Sequence, residues 1–506
     1  MSGPFAAIRH LDPSPTGTIP VVDFDVFRSA IVDAAAEERR LVALWGEPRS
    51  EGGVRLAAAM ANDRAGELAA ISADVGESYP ALASDCPQAA GFEREIAEQW
   101  GVCPKGHPWL KPLRFHRSYR PGHDAWGRDG AAAPVPSSMD FFRVEGDGIH
   151  EVAVGPVHAG IIEPGHFRFQ CHGEHVLHLE ISLGYQHRGI ERVLSGGPHP
   201  RTIHHMETLA GDTTIGHALA HCQALERLAG CRVPARAQAL RAVALELERL
   251  ANHTGDLGAL AGDVGYLPTS SFCGRLRGDF LNMSALLCGS RFGRGMVRPG
   301  GVAFDLDAVR ADELRTRLES TFRDVEGAAN LLWNSASAMA RFENVGAVSR
   351  DTARELGMVG PAARASGVEI DVRRDFPSGI YRFAQLPVSS IDSGDVFARA
   401  YVRWLEIQRS VEFILGQISS LPAGRIREPC GPLAPDRTVV SLQEGWRGEI
   451  AHVVRTDAEG RFARYKIVDP SFHNWTGLAL ALRGQEISDF PLCNKSFNLS
   501  YCGHDL

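Results

Sequence analysis

Residues 234–260, PARAQALRAVALELERLANHTGDLGAL, carry Leu240, Val243, Leu247 and Leu250 at steps of three and four. That spacing places the four side chains on one face of a helix, and Pro234 suits its first turn. Upstream, residues 166–189, HFRFQCHGEHVLHLEISLGYQHRG, keep a different period. Phe167, Phe169, Cys171, Leu177, Leu179 and Ile181 alternate with His166, Arg168, Gln170, His172, His178 and Glu180. A pair of strands with one buried face is expected there, turning near Gly173. More helix is expected over 201–260, 306–343 and 395–421. A closing hairpin over 448–469 should turn at Ala458-Glu459-Gly460.

Working toward the N-terminus, residues 19–97 mix helical spacing with short apolar runs, as a small α+β unit would. Residues 118–138, SYRPGHDAWGRDGAAAPVPSS, read as a linker because Gly, Pro and Ser interrupt regular structure. The expected fold class is α+β. A small first domain (1–120) and a linker (121–140) precede a large, mainly helical domain (141–506) with strand-rich N- and C-terminal parts.

Composition narrows the function classes. Across 506 residues, 44% are hydrophobic and 23% charged, close to globular averages, so a disordered chain is not expected. Lys+Arg 53 against Asp+Glu 61 leaves a net charge of -8 with no basic block, which argues against nucleic acid as the main partner. No apolar run approaches the roughly 18–20 residues of a membrane span. The opening MSGPFAAIRHLDPSP lacks the features of a secretory signal. The ten cysteines include no C-x-x-C and are expected to be free thiols.

Local motifs exclude more than they assign. His217 and His221 lie four apart on a helix and could meet one ion, but no third ligand stands at a recognisable spacing, so hydrogen-bonded or exposed histidines are expected. The loops GPVHAGIIEPGH (155–166) and GSRFGRGMVRPGGV (289–302) lack G-x-G-x-x-G and a P-loop, so no nucleotide fold is indicated. No G-x-S-x-G supports hydrolysis. Arg249 and His253, also four apart, read from spacing alone as a surface pair. A cation beside an imidazole, the less favoured reading from spacing, could tune a neighbouring redox centre.

Several stretches together resemble a known family. FEREIAEQWGVCPKGHPWLKPLRFH (92–116) is similar to the signature of the C-type (30 kDa-type) subunit of bacterial complex I, the NADH–quinone oxidoreductase. GPVHAGIIEPGHFRF (155–169), LEISLGYQHRGIER (179–192), ALAHCQALERL (218–228), LELERLANHTGDLGALAGDVGY (245–266), RPGGV (298–302) and EGWRGEIAHVV (444–454) resemble the D-type (49 kDa-type) subunit of that complex. They resemble more closely the large subunit of energy-converting, formate-hydrogenlyase-type nickel–iron hydrogenases. The hydrogenase members hold nickel and iron through two Cys-x-x-Cys pairs, in E-R-x-C-G-x-C-S-x-x-H and D-P-C-x-x-C. Here those segments are ETLAGDTTIGH (207–217) and DPSFHN (469–474), with Ala210, Thr213, Ser471 and Asn474 at the four thiolate positions. Nickel in such a site needs soft sulfur donors, so no metal on this chain and no hydrogen chemistry are expected.

The resemblance also implies a site. In complex I the same fold lines a quinone-head pocket beside the last iron–sulfur cluster of a partner. Gly155-Pro156-Val157-His158 keeps the opening of the family's quinone loop and then follows the hydrogenase version, making His158, Glu163 and His166 candidates for polar contact or proton transfer. The family's tyrosine is missing, since no Tyr stands between Tyr185 and Tyr266. Arg188, Arg249 and His253 match residues that approach the partner's cluster. Implied partners are an iron–sulfur protein resembling the B-type subunit of complex I and antiporter-like membrane subunits, with quinone as a possible acceptor. NAD binding attaches to the family only through the complex. The implied location is peripheral, on the cytoplasmic side of the membrane. Two alternatives stay open: a structural or coupling subunit of the same complex, and a hydrogenase with unusual ligands.

Overall fold

The computed structural model describes residues 3–49, 51–128 and 134–506, so residues 129–133 of the expected linker lie outside the described residues. Helix α1 (Phe24–Ala36) precedes three long strands, β1 (Arg40–Pro48), β2 (Val54–Asn62) and β3 (Glu67–Val75), and then helix α2 (Ala90–Trp100). The three strands pair antiparallel in chain order. Ala6–Ile8 extends the sheet antiparallel to β3, and Val21–Val22 pairs with β3 in parallel.

A second antiparallel sheet follows, from β4 (Ile149–Val154), β5 (His166–His172) and β6 (His175–Ser182), with β5 central. The expected hairpin is present, and one expected core residue is corrected. Leu177 is exposed rather than buried. Cys171 pairs with Val176 while Gln170 pairs with His178, so the register shifts and Leu177 is the extra residue, a β-bulge that turns it out of the core. Val176 takes its place inside.

The helical part comprises α3 (Thr214–Leu228), α4 (Ala235–Asp263), α5 (Leu267–Cys288), α6 (Ala308–Trp333) and α7 (Val396–Ser419). Pro234 stands just before α4, and Asp395 caps α7 by accepting from the Ala398 amide at 2.8 Å. Helix α4 is buried around most of its circumference. A helix enclosed that way carries its polar residues into the core, where each needs a partner.

The chain closes with the antiparallel strands β7 (Arg437–Gly445), β8 (Gly448–Thr456) and β9 (Phe462–Val468), the last two forming the expected hairpin. Three short helices follow: α8 (Pro470–Ala481), α9 (Phe490–Phe497) and α10 (Tyr501–Asp505). Ser14–Pro15, near the N-terminus, pairs with β7. Phe27, Ile31, Phe92 and Ile96 from the first part share one apolar cluster with Val440, Leu442, Ala451 and Val453 from the C-terminal sheet. The packing that joins the two ends of the chain also holds the end of β9, and hence the second ligand-like loop, in place.

Candidate functional site

The two segments that resemble metal-binding loops meet at the start of α3 and the start of α8. Asp469 caps α8, its Oδ1 accepting from the Ser471 amide at 2.8 Å. Its Oδ2 lies 3.0 Å from His217 Nε2 on α3. Gly503 permits this approach, because a Cβ there would stand 2.6 Å from the Asp469 carboxyl carbon. The buried Asp469 carboxylate is held below its ordinary range by His217 and Arg447, against the upward push of burial.

Each of the four ligand-like positions is absorbed by the protein. Ala210 is buried and has no side-chain donor. Thr213 Oγ1 donates to Asp212 Oδ1 at 3.2 Å and accepts from Arg447 Nη1 at 3.3 Å. Ser471 Oγ accepts from the Ser500 amide at 2.8 Å. Asn474 clamps Val359, accepting from its amide and donating to its carbonyl, both at 3.0 Å. Arg447 fills the approach, with Nη1 at 2.5 Å and Nη2 at 2.7 Å from the Asp212 carboxylate. This donor set does not fit a nickel–iron pair. Hydroxyl and amide oxygens are hard donors, and these already serve protein hydrogen bonds. Among the described residues, no group of three or more His, Cys, Asp or Glu could hold a metal ion.

Behind the loops runs a fully buried chain of hydrogen bonds. His217 Nδ1 is 3.2 Å from His452 Nε2. His452 Nδ1 is 2.9 Å from the Tyr465 hydroxyl, which is 2.8 Å from His221 Nδ1. Burial lowers His221 to about 3 and drives His452 well below the usual imidazole range, so both are neutral. Donor and acceptor counting then leaves two arrangements. With His217 neutral, it donates to Asp469 and accepts from His452, which accepts from Tyr465, which accepts from His221. With His217 charged, every bond beyond it reverses. The i, i+4 spacing of His217 and His221 is thus explained by a shared hydrogen-bonded chain. A phenol, that of Tyr465, stands in this buried chain on a strand with no recognisable spacing to the histidines.

The other expected site residues lie around this centre. His158 folds onto its own loop, Nε2 lying 2.9 Å from the Gly165 carbonyl. Glu163 accepts from the Tyr501 and Cys502 amides at 3.2 and 3.3 Å, tying the loop to α10. His166 is buried, accepts from Arg168 Nε at 3.2 Å, and is lowered by burial and by that arginine. Tyr501 packs so closely on Gly165 that a Cβ there would lie 2.5 Å from its ring, and Trp475 meets the same ring at 4.9 Å between centroids. Aromatic side chains therefore occupy the space between the 155–166 loop and α8.

Arg188 donates to the Thr208 and Leu209 carbonyls at 2.7 and 2.8 Å, buttressing the first ligand-like loop from the surface. Arg249 and His253 are not a surface pair: each is 0% exposed. Arg249 meets Glu246 at 3.0 Å and Glu406 at 3.3 Å, and His253 Nε2 lies 2.9 Å from Glu406. Glu406 also binds Arg364 at 2.8 Å, and Arg373 joins Glu246 to Asp371. Spacing alone missed this network because Glu406 comes from α7 and Arg364, Asp371 and Arg373 from the segment before it, far away in the chain. Glu248, beside Arg249, faces the other way and accepts from the Ile215 and Gly216 amides at 2.7 and 3.2 Å. Burial pushes its carboxyl up to about 8, and a void of about 20 Å³ beside it has room for one water.

Comparison with known proteins places this geometry among its relatives. A family model described as the respiratory-chain NADH dehydrogenase 49 Kd subunit matches residues 263–434 and 428–505. The chain is 31% identical over 352 residues to the carbon monoxide-induced hydrogenase of Rhodospirillum rubrum, spanning 69% of this chain and 97% of that protein. It is 25% identical over 470 residues to the C/D subunit of NADH-quinone oxidoreductase from Bdellovibrio bacteriovorus, spanning 85% of this chain and 84% of that one. A chain from the membrane-bound sulfane sulfur reductase, an archaeal respiratory membrane complex, superposes with a TM-score of 0.67. At 23% identity, covering 71% of this chain and 99% of that one, it shows a shared fold.

Proposed function

The chain belongs to the family of the 49 kDa subunit of the respiratory-chain NADH dehydrogenase, and from that premise we propose that it is the electron-transfer subunit of a membrane-associated, complex-I-like oxidoreductase. In this reading it docks peripherally beside a partner's iron–sulfur cluster and passes electrons toward a quinone or another acceptor, with no bimetallic chemistry of its own. Among the described residues no helix is long and apolar enough to cross a membrane, and in this reading membrane contact comes through partner subunits. We also propose the division into a 30 kDa-type part (1–120), a linker (121–140) and a 49 kDa-type part (141–506).

The observation that carries the reading is the buried chain from Asp469 to His221 behind ligand positions that hold no thiolate. Reduction of a quinone takes up one proton per electron, so an acceptor there needs groups that store and move protons without exposing a charge. A proton entering or leaving this chain would reverse the bonds through His452 and Tyr465 while Asp469 stays ionised. Arg188 would face the partner's cluster from the surface. Arg249 and His253 would act on it only through the field of their network. His158, Glu163 and His166 would position the acceptor loop.

The test is purification of the intact assembly, with metal analysis and turnover of the Tyr465→Phe and Glu163→Gln variants. Turnover lost in Tyr465→Phe with thermal stability retained supports the reading. Stoichiometric nickel would restore the hydrogenase alternative and overturn it. The packing of Trp475 and Tyr501 against Gly165 favours the second reading, a structural or coupling subunit with its acceptor space closed. Unchanged turnover in both variants would select that one.

A further inference from the structure

A separate cavity of about 260 Å³ lies on the far side of Trp475, between α2, the loop after it, β6 and α8. Trp109, Phe472, Trp475 and Leu183 give it aromatic and aliphatic walls, and Arg94 and Arg483 are among its lining residues. Its size falls just below the roughly 300–1,000 Å³ of ordinary small-molecule sites, and such sites favour clefts between packed units. None of the residues assigned above to electron or proton transfer lines it.

Arg94 is the decisive group. Its Nε and Nη2 donate to the Lys111 and Pro112 carbonyls at 2.8 and 2.9 Å, and no bond is made by Nη1 among the described residues. Among the described residues no carboxylate is hydrogen-bonded to it. Burial accordingly lowers its pKa to about 10, with Glu98 and Glu180 acting against the shift from a distance. Arg399 is lowered to the same value, but there Nε and both terminal nitrogens are bonded, to Ser496 and to the Gly394 and Gly346 carbonyls. Arg94 alone of the two keeps a free donor at a cavity. The acid in the wall, Glu180, is already paired with Lys111 at 2.7 Å and accepts from the Phe142 amide at 2.8 Å. Arg483, exposed at the C-terminal end of α8, makes no ion pair among the described residues. Trp475 Nε1 and His178 Nε2, from two more lining residues, are buried with no hydrogen-bond partner among the described residues. The cavity thus combines an apolar body, a positive charge with no carboxylate hydrogen-bonded to it among the described residues, and spare donors.

We propose that this cavity binds a small planar apolar molecule bearing one anionic group, its ring against Trp109, Phe472 and Trp475 and its anion on Arg94 and Arg483. The site is independent of the electron-transfer reading. It would be tested on the full chain with 2-naphthoate as the probe, titrated by tryptophan fluorescence and calorimetry, with 2-naphthylmethanol as the neutral counterpart. The expected result is saturable binding at a single site, weakened roughly tenfold or more in Arg94→Gln, as loss of a charge-assisted hydrogen bond should do. The neutral probe should bind more weakly and be indifferent to that substitution. Ala479→Trp, which fills the cavity, should abolish binding. If Arg94→Gln fails to fold, the surface change Arg483→Gln should still weaken naphthoate and spare the alcohol. Absence of saturable binding, equal affinity for both probes, or binding unaffected by Ala479→Trp would overturn the proposal.

Discussion

Two buried polar systems lie side by side in this protein and have opposite characters. Around α4 and α7, Arg249, Arg364 and Arg373 meet Glu246, Glu406 and Asp371 in ionised pairs. Behind the ligand-like loops, His452, Tyr465 and His221 are buried just as deeply but neutral, and beyond Asp469 they are joined only to one another and His217. The difference follows from the partners available. Where arginines and carboxylates come together, Coulomb attraction repays the loss of water. Where only imidazoles and a phenol meet, burial discharges them and leaves a neutral chain of hydrogen bonds. One system is ionic; the other is a neutral chain whose hydrogen bonds can run in either of two directions.

The contrast can be broken most directly at Glu406. Glu406→Gln should cost about 3–5 kcal/mol in urea unfolding, because three buried cationic or imidazole partners lose their shared carboxylate. A cost near zero would mean that the network is not the ionic anchor described. Asn474→Leu comes next, at about 1–3 kcal/mol, since the Val359 amide and carbonyl would both be left unpaired inside the protein. Tyr465→Phe should cost least, about 0.5–1.5 kcal/mol, as expected for neutral hydrogen bonds. If Tyr465→Phe proved as damaging as Glu406→Gln, the two regions would not differ in kind.

Titration sharpens the same comparison. His221 has its folded pKa lowered from 6.5 to about 3, so the unfolded chain binds more protons in that window. Stability contributed by this neutral histidine is present above pH 6.5 and is lost as pH falls toward 3. Glu406 is held well below 4.5, so its contribution is lost only at lower pH than that. His221→Asn should therefore flatten the upper part of the acid limb, a difference readable by thermal melts at a series of pH values. Glu248 runs the other way. Its carboxyl is raised from 4.5 to about 8, so its contribution is complete below pH 4.5 and is lost as pH rises through 8. Glu248→Gln should remove that alkaline loss.

Much of this was legible in the residues themselves. The three- and four-residue steps in 234–260 marked α4, the alternation in 166–182 marked β5 and β6, and Gly460 marked the final hairpin, because each depends on spacing within one element. Side-chain chemistry was equally legible at Ala210, Thr213, Ser471 and Asn474, where the absence of sulfur excludes a thiolate site whatever the fold does. Tertiary structure alone decided the rest. It turned Leu177 outward through a one-residue bulge and buried Arg249 and His253 against Glu406. It also joined His217 to His452 and Tyr465 across more than two hundred positions, and left Arg94, among the described residues, with no carboxylate hydrogen-bonded to it at a cavity. Local period and residue type are properties of neighbours along the chain. Charge pairing and proton position depend on which distant side chains packing brings within hydrogen-bonding distance.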